Sequence, residues 1–300
     1  MTVAIVTHFA DMGSSVSCAS LSCSSVSVQT SAVYKVALKL PHGSKGVAYT
    51  NPQFQPVDLN DWLKELYAPW KPTGWICYND DQPEGTHTSR GHCKGILTWD
   101  DRRIGWLIHS APNFPHTFTG ATLSLLAQSE LIYGQSFLYV EQSRIAVPLE
   151  AVLRQILWMK PNIYMKHNMP AVAPYNSMPL EIKELRFSPA MMHKAKSPAH
   201  EVDYMSTALA EGVWHEESWK RGSEYARDPN SRLQSIETLT IDGTTFQSSQ
   251  DHSKWAVTQD RVWIGDLNRM RSQEKRGGGG MVIHDAALAT LVCGFLPQKS

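Results

Sequence analysis

Two short windows of the chain match each other at a fixed offset of 160 positions, and this duplication limits the possible folds more than any other feature. Seven residues coincide: His92/His252, Lys94/Lys254, Thr98/Thr258, Asp100/Asp260, Ile104/Ile264, Gly105/Gly265 and Leu107/Leu267. In a chain of 300 residues, such a repeat predicts two lobes sharing a continuous core. The lobes fall at residues 30–165 and 166–300, behind a weakly structured lead-in at 1–29 that includes a Ser/Cys-rich run.

Each window reads as a hairpin. A strand runs from His92 through Trp99, a charged turn follows at Asp100-Asp101-Arg102-Arg103, and a return strand reaches Ile108; His252 to Leu267 repeats the pattern. Strand side chains alternate with a period of two, so His92 and Lys94 leave the same face and can address one phosphate. Two imidazoles and two ammonium groups meeting across a pseudo-twofold axis are the minimum equipment for cleaving a phosphodiester without a metal. One imidazole attacks phosphorus, the other protonates the leaving oxygen, and the lysines stabilise the phosphate oxygens. His92, Lys94, His252 and Lys254 are therefore the candidate catalytic residues. Which histidine attacks is open at this level, and the two should titrate as a coupled pair.

Other positions are weaker candidates. Asp100 and Asp260 either orient an imidazole or lysine or are simply turn residues. Asn268 and Arg269 are candidate contacts to phosphate or sugar, and His109-Ser110 are placed to line a groove. Arg276 and the run Gly277 to Gly280 read as a loop able to cradle an anion.

Hydropathy patterning fills in the remaining elements. It predicts strands at Val33 to Leu40, Trp75 to Tyr78, Ser136 to Val140 and Glu237 to Ile241, the last closed by a turn at Asp242-Gly243. Helices are expected at Trp62 to Tyr67, Thr122 to Leu131, Leu149 to Met159, Glu201 to Gly212 and His284 to Val292. The segment Asn162 to Leu180 is expected to cross between the lobes.

Arg and Lys balance Asp and Glu, giving a formal charge of zero at pH 7 with 12 histidines besides. Free imidazoles titrate near pH ~6.5, so acidification should make the chain cationic and raise its attraction to a polyanion. The five cysteines have neither a paired framework nor zinc-ligand spacing, so no disulfide scaffold, metal or other cofactor is expected. No membrane span, signal sequence or Asn-x-Ser/Thr sequon is visible.

The motifs sit within a wider set of blocks. Tyr78-Asn79-Asp80, Arg90-Gly91-His92-Cys93-Lys94-Gly95, His109-Ser110-Ala111-Pro112-Asn113-Phe114-Pro115 and Tyr133-Gly134-Gln135 lie in the first half. Asp251-His252-Ser253-Lys254-Trp255, Gly265-Asp266-Leu267-Asn268-Arg269 and Glu274-Lys275-Arg276-Gly277-Gly278-Gly279 lie in the second. Together, and in this order, they resemble the deoxyribonuclease II family. The resemblance runs from about Val33 to the final helix, with Cys93 where the family usually has Thr and Ala256 where animal members have Cys. It implies an α/β, phospholipase D-like fold: two pseudo-symmetric lobes, each a mixed β-sheet flanked by helices, with one composite site. It also implies metal-independent endonucleolytic cleavage of double-stranded DNA at acid pH, leaving 3′-phosphate and 5′-hydroxyl ends. A lysosomal or secreted setting and a homodimer clamping the duplex are compatible with it, and the compartment stays open. The motif chemistry alone also admits RNA or phospholipid as substrate, and an inactive DNA-binding relative is the non-enzyme alternative.

Overall fold

The computed structural model describes residues 32–297 except 174, 176, 178, 179, 210 and 220–231. The expected lead-in at 1–29, with Cys18 and Cys23, lies outside the described residues.

The first half runs β1 (Val33–Lys39), β2 (Lys45–Thr50), β3 (Gln53–Asp58), α1 (Leu59–Tyr67), β4 (Gly74–Asn79), a small hairpin of β5 (Asp81–Gln82) and β6 (Gly85–Thr86), β7 (Lys94–Trp99), β8 (Arg103–His109), β9 (Gln135–Ser143), α2 (Leu149–Trp158) and β10 (Ile163–His167). The second runs β11 (Ile182–Ser188), β12 (Met191–Lys196), α3 (Tyr204–Ala208), β13 (Trp214–Ser218), β14 (Leu233–Ser235), β15 (Thr238–Ile241), β16 (Thr244–Gln247), β17 (Lys254–Val257), β18 (Arg261–Gly265), β19 (Gly278–His284) and α4 (Ala286–Cys293).

The larger strands form two sheets, ordered β10-β4-β7-β8-β9-β1-β2-β3 and β11-β12-β19-β18-β17-β13-β14. Reading the second in reverse, β13-β17-β18-β19-β12 repeats the order β4-β7-β8-β9-β1 of the first. Each copy of the repeated window is thus the central hairpin of its sheet: β7 with β8, and β17 with β18.

The first sheet is antiparallel at every pairing rather than mixed, and the second is mixed only through the parallel pair β13–β14. Direct hairpin links such as β7–β8 explain this, since parallel neighbours need long crossovers. Both faces of the first sheet are covered. Ile96 and Leu107 pack against Leu63 and Leu66 of α1, while the alternate residues Leu97 and Trp106 face a core shared with Trp255, Ile264 and Met281 of the second sheet. Helices α2 and α4 add Val152, Ile156, Leu288 and Val292 to that shared core. Each such side chain contributes about 1.5–3 kcal/mol on burial, so the lobes cannot separate without exposing the apolar centre.

Four expected elements differ. Thr122 to Leu131 forms no α-helix beyond a single tight turn at Gln128–Leu131. Three of its amides are taken up outside the segment: that of Thr122 donates to Thr119 Oγ1, that of Ser124 to the Thr117 carbonyl and that of Leu126 to Asn60 Oδ1. The helix expected at Glu201 to Gly212 shrinks to α3, started by Asp203, whose carboxylate accepts the Met205 amide. The Asn162 to Leu180 crossing contains β10, the edge strand beside β4. Finally, Gly278 to Gly280 are not a loop but the start of β19. A Cβ at Gly280 would sit 2.3 Å from the Trp263 indole nitrogen, so the missing side chain admits a tryptophan against the strand.

Candidate active site

The first motif is built on the end of β4. Strand register places Asn79 opposite Lys94, which brings the next residue, Asp80, to the H-x-K face. Asn79 Nδ2 donates to the carbonyls of Ala111 and Phe114 at 3.1 and 2.9 Å, fixing the strand end. Asp80 is buried and binds three partners: Oδ2 meets His92 Nδ1 at 2.9 Å and Arg276 Nη2 at 2.8 Å, and Oδ1 accepts from Lys94 Nζ. An ionised carboxylate only accepts, so Nδ1 carries the proton of the neutral ring and Nε2 presents its lone pair. A longer contact, 3.4 Å, joins Arg276 Nη1 to the same Nδ1. His92 Nε2 is buried without a hydrogen-bond partner.

The second motif has different surroundings. Asp251 turns its carboxylate onto the backbone amide and hydroxyl of Ser253, and Lys254 Nζ donates to the His252 carbonyl. Among the described residues, no carboxylate reaches the His252 ring. Tyr133 instead stacks on one face of it, at 3.9 Å between centroids and 12° between planes, and Trp219 lies beside it at 4.2 Å, tilted by 54°. His252 Nε2 is likewise buried without a partner.

The motifs are held to each other crosswise. The His92 amide donates to the Gly277 carbonyl of the second half at 2.8 Å, and the His252 amide to the Gly134 carbonyl of the first at 2.9 Å. These glycines stand just before β19 and β9, the equivalent third strands of the two hairpins. Gly91 and Gly277 close on the Met159 carbonyl, which would lie 2.0 and 2.1 Å from a Cβ at either position. Only glycine fits there.

Electrostatics bind the four residues into one site. Burial opposes the Asp80 charge, but His92, Lys94 and Arg276 outweigh it and hold the carboxyl well below its usual range. Burial, with Lys94 and Arg276, pushes His92 down to about 3 against the pull of Asp80. His252 falls to about 2 through burial and the positive Lys254, Lys94, His92 and Lys39. Lys254, buried beside Lys94, is pushed down to about 7. Beneath them burial raises Asp266 to about 8, despite a bond from the Gly279 amide. A phosphodiester entering this cluster brings the negative charge that both imidazoliums lack.

The structure brings His92, Lys94, His252, Lys254 and Arg276 together, with Arg276 tied to Asp80 and the Arg90 carbonyl. His109 lies beneath, fully buried against Phe114 and Phe137, where burial and then Lys94 push it down to about 3. Ser110 bridges Gln135 and the Ser136 amide inside the sheet. Asn268 is buried with Oδ1 unpartnered, while Arg269 reaches Asp203 at 3.2 Å.

Asp100 and Asp260 do not orient the motif residues. They close the far ends of the two hairpins: Asp100 accepts the Arg102 and Arg103 amides and the Trp70 indole, and Asp260 bonds Thr258. Six residues of strand separate each from its lysine, roughly 20 Å at about 3.3 Å per residue. The orienting carboxylate is Asp80, which motif reasoning missed, as it missed Tyr133 and Trp219. Among the described residues, no three His, Cys, Asp or Glu side chains are grouped to hold a metal, and no helix is long and apolar enough to cross a membrane.

Residues 53–295 match the family model described as Deoxyribonuclease II. Cell-death-related nuclease 7 of Caenorhabditis elegans is 29% identical over 276 residues, covering 80% of this chain and 74% of that protein. Deoxyribonuclease-2-alpha of Sus scrofa is 29% identical over 262 residues, covering 75% and 70%.

Proposed function

Because this chain belongs to the deoxyribonuclease II family and is a nuclease of that type, we propose that it cleaves double-stranded DNA internally, at acid pH and without metal, through a phosphohistidine on His92. The observation that carries this reading is the unequal setting of the two histidines: Asp80 stands behind His92 Nδ1, and no carboxylate among the described residues stands behind His252. The matching strand order of the two sheets supports a phospholipase D-like arrangement of two halves around one site.

In the first step the Nε2 lone pair of His92 attacks phosphorus. The P–N bond forms as the P–O5′ bond breaks, and the departing O5′ takes a proton from His252. Asp80 keeps the Nδ1 proton in place and offsets the positive charge that appears on the phosphorylated ring. Lys94 and Lys254 face the non-bridging oxygens. His252, now neutral, then takes a proton from water; the hydroxide attacks phosphorus, the P–N bond breaks, and a 3′-phosphate leaves with His92 restored.

Acid dependence follows from two groups. His252, held down to about 2 by itself, must carry a proton to begin, which acid and the negative phosphodiester beside it together favour, and Lys254, pushed down to about 7, gains its full charge only below neutrality. Cleavage of plasmid at pH ~5 in EDTA, followed by end-group analysis, tests the reading. Ends with 3′-phosphate and 5′-hydroxyl are expected; 5′-phosphate ends, or a requirement for added magnesium, would overturn it.

A further inference from the structure

We propose that Tyr133 and Trp219 are positioning residues for proton transfer: their rings form an aromatic corner that aims the His252 imidazole and favours its protonated form. This rests on the reading of His252 as proton donor and deepens it. His92 is oriented through its ring nitrogen by Asp80. His252 lacks that device, yet a proton donor needs a fixed ring as much as a nucleophile does. The structure meets the need by another route. Tyr133 lies parallel to the imidazole at 3.9 Å and 12°, and Trp219 is tilted by 54° against it at 4.2 Å. Tyr133 also contacts Trp219, at 6.4 Å between centroids, so the three rings brace one another.

The aromatic corner has an electrostatic consequence. The groups facing the ring are the cationic Lys254 from β17, Lys94 from β7 and Lys39 from β1, together with His92, all opposed to an imidazolium when charged. The neighbouring Asp251 carboxylate is turned away onto Ser253. What faces the imidazole plane is the π face of Tyr133, whose negative side attracts a cation and costs nothing when the ring is neutral, while Trp219 braces the ring from beside it. The aromatic corner therefore supports the charged form where no described carboxylate does, without holding the proton so tightly that O5′ cannot take it. Its two rings come from different halves of the chain: Tyr133 precedes the Gly134 that accepts the His252 amide, and Trp219 follows β13.

The test uses the full chain with Tyr133→Phe, Tyr133→Leu, Trp219→Phe and Trp219→Leu, assayed across pH 4–8 on DNA and on a p-nitrophenyl phosphodiester of thymidine, whose leaving group needs no proton. Phe at either position should keep the wild-type profile. Leu should move the alkaline limb of kcat on DNA toward acid by roughly half to one pH unit and lower kcat about tenfold, with KM within about twofold. The first-step burst of p-nitrophenolate in the Leu variants should stay within about threefold of wild type, which also establishes that they are folded. An unmoved alkaline limb in both Leu variants, or equal losses on the two substrates, overturns the proposal. His252→Ala separates this from failure of the underlying reading: if it cleaves DNA as well as wild type, His252 is not the proton donor. If it loses DNA cleavage but keeps the first-step burst of p-nitrophenolate while the Leu variants behave as wild type, the donor stands and the aromatic corner falls.

Discussion

Asp80 gathers three hydrogen-bond donors, two of them cationic, on one buried carboxylate, and its replacement separates orientation from charge. In Asp80→Asn the amide can still meet His92 and Arg276, but it can donate to Nδ1, which favours the ring tautomer whose lone pair points away from phosphorus. We expect kcat on DNA to fall by a factor on the order of 100 or more, with a much smaller change in KM. Nitrogen NMR of the His92 ring should report the tautomer shift, and an Asn variant with unchanged kcat would remove Asp80 from the mechanism. Asp80→Ala should also unfold more easily, because Lys94 is then left buried without its anionic partner. His92 and Lys94 were legible in the sequence because their chemistry is written in adjacent residues and repeated. Asp80 stood in a family block but without a role, since only the register between β4 and β7 carries it to the motif. Tyr133 likewise stood in a block without a role and Trp219 outside every block: no local pattern announces that two distant rings will pack on a third.

At the level of elements, the central hairpins have a structural end and a chemical end. Asp100→Ala removes a side chain that accepts the Arg102 and Arg103 amides and the Trp70 indole at the turn of β7–β8. It should cost about 1–2 kcal/mol of stability, measured by denaturant titration, and leave kcat/KM on DNA within about twofold. Gly277→Ala acts at the other end, where its Cβ would collide with the Met159 carbonyl and displace the oxygen that holds the His92 amide. It should lower kcat by at least about tenfold even where the chain stays folded, because reacting groups tolerate little displacement. The hairpins themselves were readable from alternation and charged turns. The glycine run was misread because glycine signals a loop when neighbours are unknown, whereas here β19 needs it to admit Trp263 and the opposite half. Similarly, Thr122 to Leu131 had helical spacing, yet its amides at Ser124 and Leu126 bond outside the segment, to the Thr117 carbonyl and to Asn60 Oδ1.

For the whole molecule, burial reverses part of what composition suggested. Twelve histidines promise a large gain of positive charge on acidification, but His92, His109 and His193 are held down to about 3 and His252 to about 2, chiefly by burial. The unfolded chain binds their protons near pH ~6.5 and the folded chain does not, so their stabilisation is complete above that value. It is lost as pH falls toward 3, at about 1.4 kcal/mol per pH unit for each ring. Asp266 works in the opposite sense, since its folded value of about 8 exceeds that of a free carboxyl, and it gains stability through the same window. Four groups outweigh one, so Tm should fall steadily between about pH 6.5 and 4.5. A nuclease working in acid would then be least stable where it is most active, unless an anionic ligand offsets the charge of the protonated imidazoles. Phosphate seated between His92 and His252 favours both imidazoliums, so inorganic phosphate should raise Tm more at pH ~5 than at pH ~7. Scanning calorimetry at both values checks this: a Tm indifferent to pH would mean the buried histidines do not control acid stability, and an equal phosphate effect would place the anion away from the two imidazoles.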